Sequence, residues 1–250
     1  MPTATSAERL DACLPFIFHG EGGYTNDRRD RGNWTTGVIG KGELKGTKYG
    51  ISAMSYPHLD IKNLTRAEAA AIYRRDYWDQ AGCHTLPAGP DLPIFDVSVN
   101  SGPGRATTFR KQTEGTKEPV ARIKAISAKR RAFYQGLSTF KTYGKGWMSR
   151  VATIEAAAIK MALAAVGTSP IVVKATLQKE AEASVKKVQT GSAVGGGAAT
   201  VGATGGWAAT TWLEIGLAAA VVAIAVAVAL HFVRGQWERA AAFEQLASEV

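Results

Sequence analysis

The sequence has few of the residues that build metal sites or disulfide frameworks. Two cysteines, Cys13 and Cys83, and four histidines are spread over 250 residues. None of them stands at the spacing of a zinc or iron–sulfur ligand set. We therefore expect no metal and no other cofactor. We interpret both cysteines as small buried residues, and spacing alone leaves open whether they pair.

A secretory leader is also missing at the start of the chain. The first apolar stretch is short, Asp11 and Pro15 interrupt it, and no basic segment precedes it. A signal peptide needs a basic region followed by an uninterrupted apolar one. The sequence thus predicts that cleavage of an N-terminal signal does not export this chain.

Positive charge is concentrated in one part of the chain. The formal net charge is +9, and residues 105–150 hold twelve Lys or Arg against two acidic residues. Such a surface can attract nucleic acid phosphates or an anionic cell wall, or it can simply be solvated. No nucleic-acid recognition motif accompanies it. We predict no nucleic acid partner, and the other two interpretations stay open.

One carboxylate stands at the end of the first predicted helix. Leu10, Leu14 and Ile17 recur at helical spacing, and Glu21 extends this stripe by four residues. A carboxyl group on an apolar face loses hydration when charged, so its pKa is expected to rise, as a general acid requires. Gly22 and Gly23 then end the helix. The alternative is an ordinary terminal Glu before a glycine cap.

A second carboxylate and a hydroxyl follow at a suggestive spacing. Asp30 comes after eight intervening residues, and Thr36 after five more. Inverting glycoside hydrolysis needs an acid on the leaving oxygen and a second group that holds the attacking water on the other face of the sugar. Asp30 with Thr36 can hold that water. Alternatively, residues 27–33 form an ordinary solvated turn in which Asp30 pairs with a neighbouring arginine.

Several short motifs follow one another over residues 8–105. They are Glu21–Tyr24, Gly46–Ser52, Leu64–Ala69, Tyr73–Trp78 and Val99–Gly104. Together they resemble glycoside hydrolase family 108, the N-acetylmuramidases found as phage endolysins and as prophage or bacterial autolysins. The resemblance implies a lysozyme-like α+β domain, peptidoglycan as the substrate and Glu21 as the catalytic residue. It also makes Thr47 as good a match to the family's threonine as Thr36, in which case residues 37–46 are an inserted loop.

Other side chains are candidates for binding the glycan. Tyr24, Trp34 and Tyr49 can stack on sugar faces, or they can fill the small core of a predicted β wing. Asp96 and Asn100 lie four residues apart on a predicted buried helix and therefore need polar partners. Lining the saccharide cleft would supply them, and the alternative is that Asn100 caps the helix.

The second half of the chain predicts a basic helical region, a linker and a membrane anchor. The end of the basic region at residues 106–166 resembles a shortened form of the family's peptidoglycan-binding domain. An amphipathic helix and a flexible Gly/Ala linker are predicted over residues 167–211. Residues 215–233 carry no formal charge, and Trp212 and Trp237 flank them, which predicts a transmembrane helix over residues 212–234.

Arginines after the apolar run set the expected orientation. Arg234 and Arg239 follow it directly, so the short tail of residues 235–250 is predicted to be cytoplasmic. Residues 213–233 would then anchor the chain in the bacterial host inner membrane, with the catalytic domain facing the periplasmic wall. The alternative is cytoplasmic storage at that membrane until a holin admits the enzyme to the wall.

The sequence as a whole predicts an α+β fold. A mainly helical lysozyme-like domain with a small β wing occupies residues 1–105, and a helical hairpin, a linker and a transmembrane helix follow. The predicted function is an endolysin-type N-acetylmuramidase that cleaves the MurNAc-β-1,4-GlcNAc bond of peptidoglycan for host lysis. The alternatives are a lytic transglycosylase and a non-enzymatic, membrane-anchored lysis or wall-binding protein.

Overall fold

A computed structural model describes residues 4–18, 23–186 and 233–250 of the chain. The chain divides into two compact units, Met1–Arg122 and Ile123–Val250. The division falls within a long helix, 17 residues after the domain boundary predicted at residue 105.

The first unit is mainly helical with one small antiparallel pair of strands. Its described elements are α1 (Ser6–Ile17), a 3₁₀ turn (Arg31–Asn33), β1 (Thr47–Lys48), β2 (Ile51–Ser52), α2 (Arg66–Tyr73), a π-helical turn (Arg74–Trp78), a second 3₁₀ turn (Cys83–Thr85), α3 (Asp91–Ser101) and α4 (Pro103–Gln112).

Helix α1 carries the chain toward the predicted acid. Thr5 caps it, and the Thr5 and Glu8 side chains form a reciprocal capping box, which stabilises a helix by about 1 kcal/mol. Its predicted apolar stripe is buried and includes Leu10, Leu14 and Ile17. Each such side chain contributes roughly 1.5–3 kcal/mol on burial. The helix end is therefore held firmly against the core.

Helix α3 is the central element of the first unit. Residues 91–98 are all buried. An apolar run of this kind is compatible with a helix or a strand, and the family resemblance had favoured the helix. The Phe95 ring packs edge-on against Trp78, with ring centroids 5.2 Å apart. Tyr73 at the end of α2 contacts the same ring. Aromatic contacts of this geometry add about 0.5–1.5 kcal/mol beyond burial.

The predicted β wing is a tight hairpin. Strands β1 and β2 pair antiparallel in the register Thr47↔Ser52 and Lys48↔Ile51. Tyr49 and Gly50 form the two-residue connection, and both have positive φ, 52° and 75°. Two positive φ values in a two-residue loop define the type I′ turn, whose twist matches that of paired strands.

The second unit is helical in the residues that are described. Helix α5 (Pro119–Gln135) begins in the first unit and continues into the second. The other helices of the second unit are α6 (Phe140–Ala165), α7 (170–186) and α8 (233–248). Ile159, Leu177 and Phe243 are fully buried members of α6, α7 and α8. The C-terminal helix therefore belongs to the core of this unit.

The prediction of a membrane anchor is corrected. Within residues 4–18, 23–186 and 233–250, no helix combines the length and apolar character needed to cross a membrane. Residues 212–232 of the predicted span lie outside the described residues. The fold is thus mainly helical with a small β pair, and neither the predicted transmembrane helix nor a single-pass inner-membrane localisation is supported.

Arg239 shows why the charge pattern misled. It was predicted to flank a membrane on the cytoplasmic side, but it is buried on α8 and forms ion pairs with Glu155 and Glu180. The positive-inside argument applies to exposed charges beside a membrane span. A buried, paired arginine carries no such information.

Candidate active site

An open cleft of about 400 Å³ lies in the first unit. Three segments meet there: the end of α1, residues 23–25, and the β1–β2 hairpin. The described lining residues are Ile17, Phe18, Gly23, Tyr24, Thr25, Thr47, Tyr49 and Gly50.

Glu21, the predicted general acid, lies outside the described residues. The described residues that stand nearest to it in the sequence on either side both line the cleft. Phe18 is the last described residue before the segment 19–22, Gly23 is the first one after it, and each lines the cleft.

Aromatic rings form one wall of the cleft. The Phe18 ring lies 5.8 Å from that of Tyr49 and 5.3 Å from that of Tyr73, measured between centroids. The Tyr73 hydroxyl donates a hydrogen bond to the Tyr49 carbonyl oxygen at 3.1 Å. A Cβ atom on Gly50 would lie 2.5 Å from that hydroxyl oxygen. The hairpin turn is therefore fixed by packing from α2 and tolerates only glycine at position 50.

Thr47 on β1 is one of the described residues that line this cleft. Its backbone exchanges two hydrogen bonds with Thr25, at 2.9 and 2.8 Å. Its hydroxyl donates to Oδ1 of Asn33 at 2.7 Å, and Asn33 is fully buried. Asn33 Nδ2 in turn donates to the Asp27 carbonyl oxygen at 3.0 Å. Thr47 is thus held by both its backbone and its side chain.

Thr36 occupies a different environment. It is exposed in the loop that the Trp34↔Leu44 bridge closes. Its hydroxyl donates to the Lys41 carbonyl oxygen at 2.8 Å and accepts from the Val38 amide at 3.3 Å. Thr36 is not among the described residues that line the cleft.

Asp30 is exposed and caps the 3₁₀ turn. Its Oδ1 accepts a hydrogen bond from the Gly32 amide at 2.8 Å. The arginine pair that was the alternative for Asp30 is made instead by Asp27 with Arg29, at 2.8 Å. Hydrogen bonds from Arg29 lower the pKa of Asp27 to about 2. Asp30 is not one of the described cleft-lining residues.

The three candidate aromatic residues divide between cleft and loop. Tyr24 and Tyr49 line the cleft. Trp34 is half-buried in the loop, where its Nε1 donates to the Arg28 carbonyl oxygen at 3.0 Å. Gly46 lies against the Tyr24 ring, because a Cβ atom there would come within 2.5 Å of it. Glycine at position 46, with φ +83°, thus allows the close approach of β1 to Tyr24.

Asp96 and Asn100, which were predicted to lie on one face of a helix, contact each other on α3. Asp96 is buried, and Nδ2 of Asn100 donates to its carbonyl oxygen at 2.7 Å and to its Oδ1 at 3.3 Å. Neither residue appears among the described residues that line the cleft.

Sequence reasoning missed two polar residues that support the site. Asn33 stands in a stretch of turn-forming residues, so nothing in the local pattern signals its burial. Asp91 at the start of α3 is fully buried, and the Arg9 guanidinium of α1 binds it at 3.1 Å. Burial raises the pKa of Asp91 to about 6, although Arg9 and the Gly89 and Leu92 amides act to lower it. This pair joins the cleft-forming helix to the central one.

Both cysteines are buried, as predicted, and both are free thiols, which was the point that spacing had left open. Burial raises the pKa of both Cys13 and Cys83. Within the described ranges, no three His, Cys, Asp or Glu residues cluster so that they could hold a metal ion.

Comparisons with known proteins found similarity to part of this chain. The model of a family described as Glycosyl hydrolase 108 matches residues 14–102. A solved structure titled "Structure of Brucella abortus SagA" is 28% identical, covers 61% of this chain and 95% of its own, and superposes with a TM-score of 0.47. A search of curated proteins found no match.

The family match includes every described residue that lines the cleft. It supports a glycoside hydrolase that acts on peptidoglycan. Residues 14–102 thus match glycoside hydrolase family 108, the family that the motifs of this region were predicted to resemble.

Proposed function

We propose that this chain is an N-acetylmuramidase that hydrolyses the MurNAc-β-1,4-GlcNAc bond of peptidoglycan, with Glu21 as the general acid. One observation carries the proposal: the residues that flank the segment 19–22, Phe18 and Gly23, both line the cleft. Consecutive Cα atoms lie about 3.8 Å apart. Glu21 stands two residues before Gly23 in the sequence, and this closeness along the chain to a cleft-lining residue supports the assignment.

The proposed reaction adds one water across the glycosidic bond. Glu21 donates its proton to the oxygen of the departing sugar while the bond from that oxygen to the anomeric carbon breaks. A water molecule attacks the anomeric carbon from the opposite face and loses its proton to a base. Asp30 is the proposed base, and its support is its spacing from Glu21 and its exposure beside the loop that carries Asn33.

Thr47 is the threonine that we propose to hold the attacking water. It lines the cleft, whereas the described contacts of Thr36 lie within its own loop. Tyr24 and Tyr49 are the proposed sugar contacts for the same reason. Trp34, Asp96 and Asn100 stay sequence-based predictions, and each has a local hydrogen-bond partner in the structure.

The test compares Glu21→Gln with the wild type, both as full-length chains, on purified peptidoglycan. Full length matters because α8 contributes buried residues to the second unit. General acid catalysis contributes about 10²–10⁴-fold, so we expect Glu21→Gln to lose at least about 100-fold in the rate of turbidity loss. Glu43→Gln is the matched control, because Glu43 is exposed and pairs with Lys45. Equal rates for Glu21→Gln and the wild type would refute the assignment.

Product mass separates hydrolysis from its closest competitor. Hydrolysis leaves products with one added water and a new reducing end, whereas a lytic transglycosylase leaves an anhydro sugar without that water. No release of products by the wild type would favour the non-enzymatic alternative. The predicted role in lysis is tested by adding enzyme to permeabilised cells, and holin-dependent release stays a prediction.

A further inference from the structure

We infer that Asn33 is a positioning residue, which fixes the direction of the Thr47 hydroxyl group in the cleft. This inference rests on the proposed function and deepens it. It concerns how the attacking water is oriented, and it assigns a role to a residue that sequence motifs did not single out.

The hydrogen bonds around Asn33 determine which way its amide group points. Nδ2 lies 3.0 Å from the carbonyl oxygen of Asp27, which can only accept a hydrogen bond. The other amide atom, Oδ1, therefore faces Oγ1 of Thr47 at 2.7 Å. Because Oδ1 is an acceptor, the Thr47 hydroxyl must donate its single proton to it.

The Asn33 backbone anchors this arrangement. Its carbonyl oxygen accepts hydrogen bonds from the Lys45 amide at 3.1 Å and the Gly46 amide at 3.0 Å. The residue is fully buried, so water does not compete for these bonds. Asn33 thus joins the 3₁₀ turn to the start of β1, immediately before Thr47.

A hydroxyl group with its proton committed to Asn33 can only accept hydrogen bonds from the cleft. A water molecule bound there donates a proton to Oγ1 of Thr47, which leaves the water's lone pair free to attack carbon. Without Asn33, the hydroxyl group can rotate and donate to the water, and it then competes for that lone pair. Supporting hydrogen-bond partners of this kind are worth about 10–100-fold where they orient metal ligands, and we expect an effect at the lower end.

The test is a double-mutant cycle on soluble glycan strands, with kcat and KM measured separately. Asn33→Ala and Thr47→Val should each lower kcat about 10-fold with little change in KM, and the double variant should fall no further. Thr108→Val is the matched control and should leave kcat unchanged, because Thr108 is exposed on α4 and its hydroxyl donates to the Gly104 carbonyl oxygen. If kcat of the double variant falls by the product of the two single losses, or if the variants change only KM, Asn33 does not act through Thr47.

Asn33→Asp supplies a readout that a merely structural role would not move. When protonated, its carboxyl group reproduces both hydrogen bonds, donating to the Asp27 carbonyl oxygen and accepting from Thr47. When ionised, it loses the donor to Asp27 but still accepts from Thr47, so the direction of the Thr47 hydroxyl is kept in both states. Asn33→Asp should therefore recover the kcat that Asn33→Ala loses, and a folded Asn33→Asp variant with a kcat as low as that of Thr47→Val would overturn the inference even if Asn33→Ala fails to fold.

The inference and the proposed function fail in different ways. Full activity of Glu21→Gln would refute the proposed general acid. Inactive Glu21→Gln together with fully active Asn33→Ala and Thr47→Val would leave the acid in place and refute the positioning role.

Discussion

The ion-pair network around Arg239 yields a prediction about how the C-terminal helix is held. Nη2 of Arg239 lies 2.9 Å from a carboxylate oxygen of Glu155 on α6 and 2.9 Å from one of Glu180 on α7. Nη1 donates to the Ser184 hydroxyl oxygen. The Arg239 side chain is 9% exposed, and that of Glu155 is 1% exposed. We predict that Arg239→Met releases α8 from the rest of the second unit.

The expected magnitude follows from burial and from the partners that remain. Removing one member of a buried ion pair costs about 3–5 kcal/mol, because the other charge is left unpaired in a poorly solvated site. Here Glu155 keeps Arg131 and Glu180 keeps Lys124. We therefore expect a loss near the lower limit, about 3 kcal/mol. Methionine preserves much of the apolar packing against Phe243, which lies 4.7 Å below the guanidinium.

Amide hydrogen exchange of residues 233–248 in the full-length protein measures this loss. A loss of about 3 kcal/mol in opening free energy accelerates exchange by about 100-fold when exchange follows the opening equilibrium. Arg234→Met is the matched control, since Arg234 is exposed on the same helix, and it should change exchange by less than about threefold. An Arg239→Met variant as slow as this control would refute the reasoning.

Two further predictions concern the first unit. Burial raises the pKa of Asp91 from 3.8 to about 6, so the folded protein binds this proton more tightly than the unfolded chain does. The stability that it contributes is present below about pH 4 and is lost as pH rises through 6, by about 3 kcal/mol. We therefore expect the free energy of unfolding of the wild type, measured relative to that of Asp91→Asn, to fall by about this amount between pH 4 and pH 7. A difference between the two proteins that does not change with pH would contradict the prediction. Gly50→Ala should cost about 2 kcal/mol and lower activity, because alanine disfavours φ +75° and its Cβ displaces the Tyr73 hydroxyl; an unchanged melting temperature would contradict this.

The local features of the fold were predictable because they depend on residues close together in sequence. Helix α1 follows from the spacing of Leu10, Leu14 and Ile17. Helix α2 begins at the capping box of Thr65 and Glu68, which is recognisable in the sequence. Periodicity could not decide between helix and strand for α3, whose residues are buried on all sides, and there the family resemblance supplied the answer.

Features that depend on distant partners could not be predicted in the same way. The partners of Arg239 are 84 and 59 residues away along the chain. Its burial depends on how α6, α7 and α8 pack, which no local pattern encodes. From the sequence alone, an arginine after an apolar run suggested a membrane boundary. In the second unit, Arg239 instead forms ion pairs with Glu155 and Glu180.

The choice between Thr36 and Thr47 shows why spacing along a chain is a poor measure of distance at a site. Thr36 is six residues from Asp30 and Thr47 is seventeen, yet it is Thr47 that Asn33, next to the Asp30-capped turn, binds at 2.7 Å. The segment between closes on itself, because Trp34 pairs with Leu44 and the Asn33 carbonyl oxygen accepts from Lys45 and Gly46. A loop whose ends meet adds length without moving its flanks. The Asn33–Thr47 hydrogen bond therefore joins the buried end of the 3₁₀ turn to a cleft-lining residue that stands fourteen positions later in the sequence.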